Sequence, residues 1–134
     1  MVRLSRSIYE EAEEEVREHK WRESEKAGRD LGVEAVRGWT KSYWLRFYRW
    51  RFVQHLRGEV CWREFDFGCF GIVCGRLSAH GELLEVIMDR VRDGAENLDI
   101  LVWTHECGLP VDQVMDILEA LDINSRRLAP PGWR

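Results

Sequence analysis

Glu15, His19 and Glu23 stand four residues apart, a spacing that sets two carboxylates and an imidazole on one face of a helix. Such a set binds iron or zinc when further helices contribute ligands. No second matching motif occurs, so the triplet reads as a solvated helix face, and a metal-binding helical protein is kept only as an alternative. Cys61, Cys69, Cys74, His80, His105 and Cys107 are the right residue types for zinc, yet none forms a Cys-x2-Cys pair, and Cys69-x4-Cys74 is an unusual spacing for a zinc site. The same thiols and imidazoles permit a Cys–His pair on paper. No nucleophile elbow, phosphate loop or paired-carboxylate motif accompanies them. The sequence therefore predicts no enzyme, no catalytic residue, no metal and no cofactor.

A different chemistry gathers in the middle of the chain. Residues 37–57 hold six basic side chains and no acid, whereas residues 1–36 carry a net −3 and residues 58–134 a net −7. Arg37, Lys41, Arg46, Arg49, Arg51 and Arg57 are interleaved with Trp39, Tyr43, Trp44 and Tyr48. Guanidinium groups beside rings anchor protein interfaces, and they also neutralise phosphates while the rings stack on bases. The expected partner-binding set is Arg37, Lys41, Tyr43, Trp44, Arg46, Tyr48, Arg49, Arg51 and Arg57. Internal pairing of these cations with the chain's own acidic helices is the competing reading. An anionic membrane surface is disfavoured, because the helical wheel lacks a clean polar face.

The chain has 134 residues, 45% hydrophobic and 33% charged, which suits one compact domain or two very small ones. Seven tryptophans are unusual for this length and point to an aromatic core, an aromatic interface or both. The longest nearly uncharged stretch, residues 67–75, is far short of the ~20 residues a membrane helix needs. No signal peptide is recognised, so a cytoplasmic location with free thiols is expected.

The elements that must position these residues are mainly helical. Residues 7–27 read as a helix, with Ser7 and Glu10 as a capping box and Ile8, Ala12, Val16, His19 and Ala27 as one narrow apolar stripe. Glu13/Arg17 and Glu18/Arg22 are i, i+4 pairs in the favourable order. Gly28 should stop this helix, and Asp30 should cap a second that runs to residue 57, with Gly38 a candidate break. On that second helix Trp39, Tyr43, Phe47 and Trp50 share one face, and Trp44, Tyr48 and Phe52 another, so contact on more than one side is expected. Residues 59–81 are punctuated by glycine and read as an irregular linker or small β-hairpin. Helices follow at 82–91, 97–107 and 111–122, and an extended tail closes the chain. The expected fold is thus mainly α: a helical hairpin over 1–58, the linker 59–81, a three-helix, helix-turn-helix-like unit over 82–126, and the tail 127–134.

Residues 100–119 match a helix-turn-helix in shape, with Gly108 at the turn and Val114 and Ile117 where the second helix should bury. The outward positions of that second helix are Asp112, Gln113, Asp116 and Glu119. Three carboxylates would be repelled by a phosphate backbone, so the motif reads as structural or protein-docking.

His19-Lys20-Trp21-x2-Ser24-Glu25-x2-Gly28-Arg29-Asp30-Leu31-Gly32-x-Glu34-Ala35-x3-Trp39 resembles a segment of bacterial proteins of unknown function. The resemblance covers about twenty residues. It implies a bacterial origin and a helical joint at Gly28 to Gly32, and it transfers no catalytic residue. Trp21 and Trp39 are expected to pack across that joint, with Ser24 and Glu25 as partners of Arg29.

These readings converge on a non-enzymatic accessory or assembly protein that docks an acidic protein partner, alone or in a larger complex, through the basic aromatic helix. A nucleic-acid-binding regulator using the same segment is the alternative. No membrane partner is expected, and the oligomeric state is open.

Overall fold

A computed structural model describes residues 5–132 and is mainly helical, with no strand among those residues. Helix α1 spans Ile8–Ala27 and α2 spans Val33–Leu56. Three short 3-10 turns follow at Phe67–Cys69, Ile72–Cys74 and Arg76–His80. Helices α3 (Glu82–Arg92), α4 (Asn97–Cys107) and α5 (Val111–Leu121) complete the fold.

α1 starts where Ser7 Oγ accepts the Glu10 N–H at 3.3 Å. The reciprocal half of the expected capping box is replaced. Glu64, from the segment after α2, accepts the Ser7 hydroxyl and the Ile8 N–H, each at 2.7 Å. Its carboxylate sits on the positive end of α1, where free N–H groups favour an anion. Glu10 turns instead to Arg63 at 3.5 Å. Glu13 and Arg17 pair at 3.0 Å as expected, while Glu18 and Arg22 do not pair.

α1 stops at Gly28, whose φ of 71° is the left-handed conformation that glycine adopts without strain. The N–H groups of Gly28 and Arg29 return to the carbonyls of Glu25 and Ser24 and satisfy two of the helix's last acceptors. The second helix is not capped by Asp30. It begins three residues later, at Val33, and Asp30 Oδ1 accepts the Gly32 N–H at 3.0 Å within the turn. Ser24 Oγ accepts the Leu31 N–H, and the Arg29 guanidinium goes to Glu34 at 3.3 Å, not to Ser24 or Glu25. Gly38 does not interrupt α2.

α1 and α2 lie side by side and run in opposite directions, because His19 meets Tyr43 while Glu11 meets Arg51. Trp44, Tyr48 and Phe52 are buried, as are Ile8, Ala12 and Val16 opposite them. The expected Trp21–Trp39 contact is absent. Trp21 is 63% exposed, and Trp39 packs on Tyr43, Trp44 and Phe47.

Residues 59–81 form no hairpin. The segment makes an isolated bridge between Trp62 and Arg6 and then coils through the 3-10 turns. It delivers Trp62, Phe65, Cys69, Val73 and Leu77 to the interior, so the buried apolar residues form one continuous cluster from Ile8 to Ile123. Burial on this scale contributes about 25 cal/mol per Å² of apolar surface, which is why a stretch without regular helix stays ordered.

α3 buries Leu84, Ile87, Met88 and Val91, leaving Val86 exposed. α4 ends at Gly108 with φ 63°, and Pro110 precedes α5, so the two helices pack through Ile100, Thr104, Val114 and Ile117. Asp112, Gln113, Asp116 and Glu119 face solvent. The tail is tied to the opposite end of the chain. Trp44 Nε1–H donates to the Leu128 carbonyl and the Tyr9 hydroxyl to that of Ala129.

Candidate functional site

α2 carries too many large rings for one buried face, so part of its aromatic surface remains outside. The Trp39–Tyr43–Phe47–Trp50 face, spaced at three and four residues, forms one wall of a groove against α1. The opposite wall comes from Glu15, His19 and Arg22, which also recur at helical spacing. Arg46 and Arg51 complete the lining, and the groove encloses about 450 Å³. That volume lies within the ~300–1,000 Å³ range of ligand clefts, and it is open along its length.

The rings grade from sealed to exposed. Trp39 is buried and Phe47 half-buried, whereas Tyr43 is 52% and Trp50 51% exposed. His19 meets Tyr43 edge-on with centroids 5.9 Å apart, which fixes the α1 wall against the α2 wall. Arg92, from α3, covers part of Trp50 at 4.9 Å.

The three guanidinium groups of the groove are not equivalent. Arg51 lies 3.5 Å over the Phe47 ring and 3.6 Å from Glu11. Burial lowers its pKa below the ordinary arginine value, and the carboxylates of Glu11 and Glu15 oppose that shift. Its charge is thus largely committed inside the protein. Arg22 and Arg46 make no ion pair among the described residues. Glu15 is the one carboxylate in the lining, against three guanidinium groups.

Of the nine residues expected from sequence to bind a partner, the structure brings Tyr43, Arg46 and Arg51 to this groove. Three others lie in the core. Trp44 stacks on Tyr9 at 5.7 Å, and Tyr48 is buried beside Arg49. Arg49 is fully buried. It donates to the carbonyls of Val91 at 3.1 Å and Ala95 at 2.8 Å, to the Tyr48 hydroxyl at 3.3 Å and to Glu96 at 2.8 Å. A guanidinium survives burial only with its donors paired, and here it clasps the turn between α3 and α4. Arg57 leaves the set through an ion pair with Glu85 at 2.8 Å. Arg37 and Lys41 are exposed but lie about 180° and about 140° round α2 from Arg46, away from the groove.

Sequence reasoning missed Arg22 and His19 as groove residues. Their spacing with Glu15 on α1 was visible, but nothing local shows that this face opposes Trp39 to Trp50. Among the described residues no three His, Cys, Asp or Glu side chains gather where they could hold a metal ion. The four cysteines are unpaired with one another. Burial raises the Cys69 thiol to about 11, which leaves it protonated and unreactive as a nucleophile. No helix among the described residues is long and apolar enough to cross a membrane. No protein-family model matches the chain, and neither a curated protein nor a solved structure matches it.

Proposed function

We propose that this chain is a non-enzymatic docking protein whose α1–α2 groove receives an acidic segment of a partner protein. In this reading the α1–α2 hairpin is the docking arm, and the three-helix unit α3–α5 stabilises it from the other side. One observation carries the proposal. Arg22 and Arg46, neither held in an ion pair among the described residues, flank the half-exposed rings of Tyr43 and Trp50 in an open groove. Arg, Tyr and Trp are the side chains that anchor interfaces, because they combine a directional polar group with a large apolar area.

A nucleic acid is the weaker reading. Phosphate binding needs a run of cations along the strand. Arg37 and Lys41 lie on another face, and Arg49, Arg51 and Arg57 are engaged internally.

Isothermal titration with a helical, glutamate-rich peptide carrying spaced leucines tests the proposal. A lysine-rich counterpart and a single-stranded oligonucleotide serve as controls. Binding of the acidic peptide alone is expected, with affinity falling at least about tenfold on Arg46→Glu, the effect of about 1.4 kcal/mol. No binding of the acidic peptide, or binding indifferent to Arg46→Glu, would overturn it.

A further inference from the structure

We infer that a second copy of this chain can occupy the groove, inserting the outer face of α5. The inference rests on the groove being a docking site for acidic segments, and it names one such segment. Asp112, Met115, Asp116 and Glu119 recur at spacings of three and four residues and are all exposed, so they form one stripe on the solvent side of α5. Its opposite side is buried through Val114, Ile117, Leu118 and Leu121. The stripe combines three carboxylates with an exposed thioether, Met115. Asp112 and Glu119 make no ion pair among the described residues, while Asp116 is shared with His80 at 2.8 Å and Arg76 at 4.0 Å.

Length and charge both match. α5 has 11 residues, about 16 Å of helix at 1.5 Å per residue. The ring wall from Trp39 to Trp50 covers a similar length of α2. A helix laid in the groove would set Met115 against the Tyr43 and Trp50 rings, a favourable sulfur–aromatic contact. Its two unpaired carboxylates would then face the two unpaired guanidinium groups, Arg22 and Arg46. Groove and stripe are different surfaces, so the contact is head-to-tail, and a pair of copies keeps one free groove and one free α5 between them.

Sedimentation equilibrium on the full chain tests this with two charge-reversed variants, Arg22→Glu/Arg46→Glu and Asp112→Lys/Glu119→Lys. At low salt the wild-type mass should rise above 15.9 kDa with concentration, and it should return to the monomer at high salt. Each variant alone should stay monomeric. An equimolar mixture should associate to at least twice 15.9 kDa, because the wild-type stripe of one variant meets the wild-type groove of the other and the two reversed surfaces are complementary in charge as well. Should charge reversal disturb the α1–α2 packing, Arg22→Gln/Arg46→Gln reads the same way with smaller amplitude. A wild type monomeric at every concentration, a mixture that does not associate, or self-association indifferent to both variants would overturn the inference. The α5 variant keeps a wild-type groove. If it binds the glutamate-rich peptide yet does not join the groove variant, self-docking falls and the docking reading stands. If it binds neither, both fall.

Discussion

Arg49 and His55 are polar side chains without measurable exposure, and each is kept inside by a different arrangement of partners. For Arg49 the partners are two carbonyls, a hydroxyl and the half-exposed Glu96, which Arg127 also contacts at 2.6 Å. Replacing it with methionine fills the space but takes the guanidinium donor from the Ala95 carbonyl and from Glu96, while the Val91 carbonyl keeps the Gly94 N–H at 3.1 Å. Losing one member of a buried pair costs about 3–5 kcal/mol. The second cation on Glu96 sets the expectation for Arg49→Met at the lower end, about 3 kcal/mol, read from the urea midpoint. His55 is held neutral. The Trp62 N–H donates to Nδ1 at 3.1 Å, so Nε2 carries the proton and donates to the Asp66 carbonyl at 2.8 Å. Burial pushes the His55 pKa below its ordinary value, against the pull of the Asp66 carbonyl and carboxylate, and Arg126 adds to the depression. The unfolded ring takes up a proton below about pH 6.5, and the folded ring resists it. Between those two pKa values the unfolded state binds more protons, so stability rises with pH there. His55's contribution is complete above about pH 6.5 and declines as pH falls below it. Urea midpoints from neutral pH downward should show that decline in the wild type and a shallower one in His55→Asn.

At the scale of elements, the ends of helices were the most legible part of the chain. Ser7 acts through its hydroxyl, and Gly28, Gly108 and Pro110 through backbone geometry, all within a few residues, so α1, α4 and α5 begin and end within about a residue of their expected bounds. The start of α2 was misread because Asp30 has the right chemistry for a cap. The turn spends that carboxylate on the Gly32 N–H before the helix begins. The two glycine-rich joints therefore respond differently to mutation. Gly28→Ala forces a side chain into the left-handed region and is expected to cost about 1 kcal/mol. Asp30→Ala removes one exposed hydrogen bond within a turn and should cost less than about 0.5 kcal/mol. Thermal melts of the two variants check the order; equal losses would restore Asp30 as the cap.

Across the whole molecule, what the sequence hid was long-range pairing. The charge map correctly located a basic island, but periodicity cannot say that Arg49 meets Glu96 forty-seven residues on, or that Arg57 meets Glu85. Nor did it show that residues 59–81 would thread Trp62 and Phe65 into the common core, because their spacing fits neither a helix nor a strand. The island thus divides into three parts: cations that hold the fold together, a pair, Arg37 and Lys41, on a face of their own, and the groove residues that remain available. The docking account depends on that last part. Amide chemical shifts of the labelled protein, followed while the glutamate-rich peptide is added, test it most directly. The account predicts the largest changes at Arg22, Tyr43, Arg46 and Trp50, with Arg37 and Lys41 nearly still. Changes centred on Arg37 and Lys41 or on the exposed Leu98 and Val102 of α4, or a spectrum that does not move, would contradict it.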